Sequence, residues 1–560
     1  MENVTKQWHK IMFAEDESPL GKPWQVTKQA SQIHQASGLP REFAIFMELR
    51  DGARPVLYFS PIAAELCAEL ISSFEGAACS LPTDPMPSFT MAYGNAEEAW
   101  ALVARDTPRE ERREAFDQHK SAQADTASKA QFIKIDPRDF IVSPFWHCPN
   151  CNQQEFGVLD IGGNRYTRRC RACRHTQYLD LPQITKKVIY LDQNAISNMM
   201  KALNPQTSAH QKGRVDPFWK TLFEKLDSLC KLQLIICPDS TAHSNESRVY
   251  TFFQALKRMY EQLSNGVSFY DPDTIRRSQV YEHLGNVLTR NPSAALKLDV
   301  RSVVSGELNE WTDNILITAT SQWKPEWVGE LRKSRDQLAT EITAVFEQWR
   351  TDNDKTFNDW FEEEVGAFGT ANLKQYVEFL TVLEETFSGR RDPDPNINLL
   401  LPPPSAVLIT TLIDRLRAAG ITEEDIWPTL VGYLTSPTLK EIPFLKISSM
   451  LWAAVARKAA SGGRRPPSRG MCNDINTIST LLPYCDAMFI DKECWTYLNE
   501  GPLRTELNFG TKLFSLNNKQ EFFEYLDAIR DSTTPEHLAT VRAVYGEDCP
   551  VPYTSIYRNR

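Results

Sequence analysis

The stretch Lys187-Val188-Ile189-Tyr190-Leu191-Asp192 constrains the fold of this chain more than any other. Val188 to Leu191 are β-favouring residues in unbroken succession with no polar alternation, which suits a strand covered on both faces, as in a parallel sheet. The run ends on a carboxylate. In an open parallel sheet, ligands sit in the crevice beyond the carboxyl ends of the strands, so Asp192 is expected at the mouth of a site. A helix over 195–203 should follow.

Further buried strands are predicted at 232–237, 484–490 and 511–516, and the middle one also stops at an aspartate, Asp491. After Pro238 a helix should begin, with His243 and Glu246 three apart and so on one face near its start. Asp474 falls in the first turn of a helix predicted to end at Pro483, and an amphipathic helix over 520–529 closes the fold. Asp192, Glu246, Asp474 and Asp491 therefore share one topological edge. Crowded carboxylates without an ion raise one another's pKa and cost stability. A hard divalent cation such as magnesium or manganese takes oxygen ligands and resolves the repulsion. Asp486 lies within an apolar strand, so it is either functional or partnered, and it is a fifth acidic candidate.

A second metal signal precedes the first strand. Cys148-Pro149-Asn150-Cys151 and Cys170-Arg171-Ala172-Cys173 are two Cys-x-x-Cys loops separated by eighteen residues, the spacing of a four-cysteine zinc site. The intervening Gly162-Gly163 allows a hairpin between the two knuckles, giving a zinc ribbon with structural Zn2+. His147 and His175 flank a site that four thiolates already fill. The ribbon's second half is basic, with Arg165, Arg168, Arg169, Arg171 and Arg174 leading into the Asp192 strand. These arginines either keep a small ribbon soluble or contact a phosphate backbone. The loop before Asp474, Ser461-Gly462-Gly463-Arg464-Arg465-Pro466-Pro467-Ser468-Arg469, offers Arg464, Arg465 and Arg469 for the same grip.

Charge limits what the partners can be. A net charge of -10 argues against a surface that attracts nucleic acid everywhere and leaves only local basic patches. The twelve cysteines are too sparse for a disulfide scaffold, and with no signal peptide or long apolar run the expectation is a cytoplasmic chain without a membrane partner. At 560 residues two to four domains are expected. The expected division is a small α+β domain over 1–130 with a hairpin about Asp51-Gly52, a zinc ribbon over 140–185, a split α/β core over 186–267 and 470–545, a helical insertion over 268–469, and a tail over 546–560. The N-terminal domain is a candidate surface for a protein partner.

The order strand-Asp192, helix-Glu246, helix-Asp474, strand-Asp491, with Tyr484-Cys485-Asp486-Ala487-Met488-Phe489-Ile490-Asp491 near the end and a final strand plus helix, resembles a PIN-like nuclease domain. The resemblance covers about a quarter of the chain and departs from that family's compact form by the long helical insertion. It implies an α/β/α sandwich with a central parallel sheet, and hydrolysis of RNA, less often of structured DNA, with Mg2+ or Mn2+. By resemblance Asp192, Glu246, Asp474 and Asp491 would be the metal ligands. Three other readings compete. One is a non-catalytic nucleic-acid-binding or scaffold protein on an inactive PIN-like domain, and another is a nuclease effector of a toxin or defence system. The third, a haloacid-dehalogenase-type phosphatase, ranks low because Asn194 stands where a second aspartate is required.

Overall fold

The computed structural model describes residues 137–313, 340–391 and 402–554, except 248–251, 292, 353, 464 and 469, together with strands at 44–49, 55–59, 89–93, 131–135 and 315–319. Most of the α+β domain expected over 1–130, and Arg464 and Arg469, lie outside the described residues. Among the described residues no helix is long and apolar enough to cross a membrane.

The chain is mixed α/β with a parallel sheet and a helix-rich body. Near the N-terminus β1 (Ala44–Leu49) and β2 (Pro55–Phe59) form the expected antiparallel hairpin, and β3 (Phe89–Tyr93) pairs with β4 (Gln131–Ile135). A ribbon of four antiparallel strands follows: β5 (Val142–Trp146), β6 (Phe156–Gly162), β7 (Arg165–Cys170) and β8 (Thr176–Asp180). The parallel sheet is built from β9 (Lys187–Leu191), β10 (Ile235–Ile236), β14 (Ala487–Phe489) and β15 (Lys512–Phe514), in the order β10-β9-β14-β15. Between its halves lie the short pair β11 (Ser268–Phe269) and β12 (Val304–Ser305), and β13 (Ile315–Ala319). The last of these adds to the N-terminal hairpin by pairing with β1, so a strand from the stretch assigned to the helical insertion completes an N-terminal sheet.

Alternation along β9 sends its side chains into two cores. Ile189 and Leu191 join Ala487, Phe489 and Phe514 beneath the helices Gln193–Leu203, Pro217–Lys231, Phe253–Ser264 and Lys519–Asp531. Val188 and Tyr190 join Met488 and Ile490 beneath Pro443–Ala460, Met471–Leu481 and Lys492–Leu498. Both faces are therefore covered, which is why the strand sequence carries no polar alternation. Each fully buried side chain such as Ile189 or Met488 contributes roughly 1.5–3 kcal/mol by leaving water. The insertion's Trp349 and Trp360 belong to the second core, and Val365 to an adjoining one, so these side chains serve packing.

The strands are shorter than the sequence suggested. Residues 482–484 form a 3-10 turn, and β14 begins only at Ala487.

Candidate active site

β9 and β14 run side by side, with Ile189, Tyr190 and Leu191 opposite Ala487, Met488 and Phe489. The amide of Asp192 donates to the carbonyl of Phe489 at 2.9 Å. Strand order reverses between these two neighbours, because β9 leads to β10 on one side and β14 to β15 on the other. Their carboxyl ends form the topological switch point of the sheet.

Asp192 and Asp491 each cap a helix there. Asp192 Oδ1 accepts from the amide of Asn194 at 3.2 Å, and Asp491 Oδ1 from that of Glu493 at 2.7 Å. These caps fix one oxygen of each carboxylate and leave the other for the cleft. Glu246 projects from the helix Thr241–Ser247, and its Oε1 accepts from Asn473 Nδ2 at 3.0 Å. Asp474 stands in the first turn of Met471–Leu481. All four line one cavity of about 10 Å³, together with Tyr190, Gln193, His243 and Thr477. That is room for roughly a single water or a bare ion.

The charges are mutually strained. Burial raises the Asp474 carboxyl to about 9, with further upward pushes from Asp192, Glu246 and Asp491. Asp192 is raised to about 6, again first by burial and then by Glu246 and Asp491, against opposing pulls from the Asn194 amide and His243. Among the described residues no lysine or arginine ion-pairs with any of the four. Gln193 adds an acceptor: its Nε2 donates to Ser247 Oγ at 3.0 Å, while its buried Oε1 has no hydrogen-bond partner among the described residues. This all-oxygen donor set suits a hard divalent cation. The carboxylates are nonetheless more open than the thiols, since among the described residues only the four cysteines bring their ligand atoms within 4.8 Å of one another.

His243 is held more tightly than the sequence alone foretold. Nε2 lies 2.7 Å from the carbonyl of Leu191, and Nδ1 lies 3.2 Å from Asp239 Oδ1. Its ring stacks between Tyr190 and Tyr260, at 5.0 and 4.6 Å between centroids. The signal was present as Asp239, His243 and Glu246 at helical spacing, but only the fold reveals that the histidine grips the strand end.

Asp486 is removed from the acidic set. It sits at the opposite end of β14, where Oδ1 pairs with Lys187 Nζ at 2.7 Å and Oδ2 accepts from the amide of Val188 at 2.8 Å. Its role is to lock the amino ends of β9 and β14 in register.

The four cysteines converge as their spacing predicted. Cys148 and Cys173 Sγ are 3.5 Å apart, and Cys151 and Cys170 Sγ 3.6 Å. A tetrahedral zinc with Zn–S bonds of about 2.3 Å has sulfur–sulfur edges of roughly 3.8 Å, whereas a disulfide would need about 2.05 Å. The cluster could hold a metal such as zinc. Each knuckle turns through a residue of positive φ, Asn152 at 59° and Arg174 at 62°. Hydrogen bonding from the Asn150 side chain leads the effects that lower Cys173 to about 6, while burial raises Cys170 to about 12. His147 Nδ1 is 3.2 Å from the Asn152 carbonyl, and His175 packs on Phe156, so neither joins the thiols.

Two of the basic candidates are structural. Arg168 is fully buried and donates to the carbonyls of Pro144, Phe156 and Ala543, tying the ribbon to the C-terminal helix Pro535–Tyr545. Arg171 donates to the carbonyls of Arg138 and Ile141 and packs over Phe145. Spacing could not distinguish them from their neighbours, because the carbonyls that hold them come from distant parts of the chain. Arg165, Arg174 and Arg465 are exposed, and Arg169 is half-buried. No family model, curated protein or solved structure matches this chain.

Proposed function

We propose that this chain is a metal-dependent endonuclease acting on RNA in preference to DNA, built on a PIN-like domain and carrying structural zinc in its ribbon. The observation that supports this reading most is that Asp192, Glu246, Asp474 and Asp491, drawn from both halves of a split sheet, line one cavity, and among the described residues none of them pairs with a lysine or arginine. These carboxylates would hold Mg2+ or Mn2+, with Gln193 Oε1 available to the ion or its water. When bound, such an ion activates water for attack on a phosphodiester and stabilises charge on the leaving oxygen.

The chain's own residues do the positioning. Asn473 aims Glu246, helix capping fixes Asp192 and Asp491, and His243 holds the end of β9. Arg165, Arg169 and Arg174 remain available for phosphate contacts. The test is cleavage of labelled single-stranded RNA with and without magnesium or manganese. Wild type should cut only with metal, and Asp192→Asn should lose nearly all activity; equal degradation by both would sink the proposal.

The wider spacing of the carboxylates favours a second reading, a nucleic-acid-binding scaffold without catalysis. It predicts RNA retention by both proteins in a gel-shift assay with no metal-dependent cutting by either.

A further inference from the structure

A second cavity, of about 400 Å³, opens in the helical body among Pro272–Leu288, Phe357–Phe387, Pro404–Ala418, Pro443–Ala460 and Met471–Leu481. Its volume suits a small organic ligand. Phe368 and Trp452 supply flat apolar wall, while Glu364, Arg277 and Asn476 contribute polar groups.

Two of those polar groups are uncommitted. Arg276 beside them is spent: it donates to Thr480 Oγ1 and the Asn476 carbonyl and stands 3.6 Å from Asp273. Arg277 donates only to Thr274 Oγ1, and no described carboxylate pairs with it. Glu364 has no described cation or hydrogen-bond donor, and burial, reinforced by Glu363, raises its carboxyl to about 7. In its ionised form this group is an acceptor only, so it is satisfied by a ligand that presents N–H groups side by side. Among nucleobases guanine does so, with N1–H and N2–H adjacent, whereas adenine sets its amino donor beside an acceptor. A guanidinium without a carboxylate partner is matched by phosphate.

We propose that this cavity binds a guanine nucleotide, with Glu364 accepting from the base edge, Phe368 and Trp452 forming the apolar wall, and Arg277 facing the phosphate. The nucleotide is either free or part of a single-stranded RNA, in which unstacked bases are read by their Watson–Crick edges and by aromatic contact. The helix Met471–Leu481 walls both cavities, offering Asp474 and Ile478 to the acidic one and Asn476 and Ser479 to this one. A guanine held here therefore lies about one helix diameter, ~10 Å, from the carboxylates. The binding claim does not depend on hydrolysis.

The test is calorimetric titration of the full chain, without added magnesium, against GMP, AMP, a guanine-containing pentaribonucleotide and its uracil-only counterpart. Saturable GMP binding at least about tenfold tighter than AMP is expected, with that preference lost in Glu364→Gln. Arg277→Gln should weaken GMP more than guanosine, and circular dichroism should show both variants folded. If only the guanine pentamer binds, and Glu364→Gln abolishes it, the ligand is a strand. Equal affinity for GMP and AMP, no binding of either guanine probe, or an unaltered Glu364→Gln would overturn the proposal.

Discussion

His243 Nε2 donates to the carbonyl of Leu191 at 2.7 Å, so the residue immediately before Asp192 is anchored from a separate helix. The same ring is sandwiched by Tyr190 and Tyr260 and partnered by Asp239. Replacing it with alanine removes two hydrogen bonds and two ring contacts from a buried site. His243→Ala should destabilise the fold by about 2–4 kcal/mol, read as a lower urea midpoint, and should depress metal-dependent cleavage. Asp239→Asn, which retains the ring, should fall between it and wild type. A wild-type midpoint for His243→Ala would show that the clamp carries no energy.

The acidic cluster makes a signed prediction with pH. Asp192 and Asp474 are raised to about 6 and about 9, well above an unfolded aspartate near 4. Between those limits the folded state binds more protons than the unfolded one, so this contribution to stability is full below about pH 4. It is lost as pH rises through about 6 and then about 9. Metal-free protein should therefore melt at progressively lower temperature from pH 5 to pH 9, and magnesium, which competes with those protons, should raise the melting temperature more at pH 8 than at pH 6. Asp474→Asn should flatten both trends. A magnesium shift that is independent of pH and survives in Asp474→Asn would exclude a cation from this cluster.

For the ribbon, the expected stoichiometry is about one zinc per chain by elemental analysis. Cys170→Ser removes a buried partner of Cys151 and should abolish zinc retention. Zinc content unchanged in that variant would leave the thiols without a metal role.

The arginines divide by burial. Arg168→Ala removes a buried donor to three backbone carbonyls and should cost roughly 3–5 kcal/mol, on the scale of about 1–3 kcal/mol for each buried acceptor that loses a partner. Arg165→Glu with Arg174→Glu touches exposed side chains, so stability should move by no more than about 0.5 kcal/mol. If the ribbon contacts RNA, the same pair should weaken binding and reduce its salt dependence in a gel-shift series. Full RNA affinity in the double variant would assign the ribbon to structure alone.

Local chemistry made much of this legible. The unbroken apolar run of β9 announced a strand buried on both faces, and the helix-start and strand-end carboxylates met at one edge because parallel topology puts every such end on the same side. The cysteine spacing fixed the knuckles. What could not be read was partnership across distance. Asp486 and Asp491 share one stretch of sequence, yet opposite ends of a three-residue strand separate a register lock from the cleft. Arg168 and Arg165 look alike until β7 turns one inward, and the strand at 315–319 carries no mark that it belongs beside β1.

The pairing of Lys187 with Asp486 joins residues 299 apart in sequence, and β9 waits beside an empty neighbour until β14 exists. At translation speeds of about 5–20 residues per second, that interval is on the order of tens of seconds. A nascent chain on the ribosome thus carries Asp192 and Glu246 well before Asp474 and Asp491. The quartet therefore stays incomplete while the intervening helical body is made, and any chemistry it supports waits for the second half of the sheet.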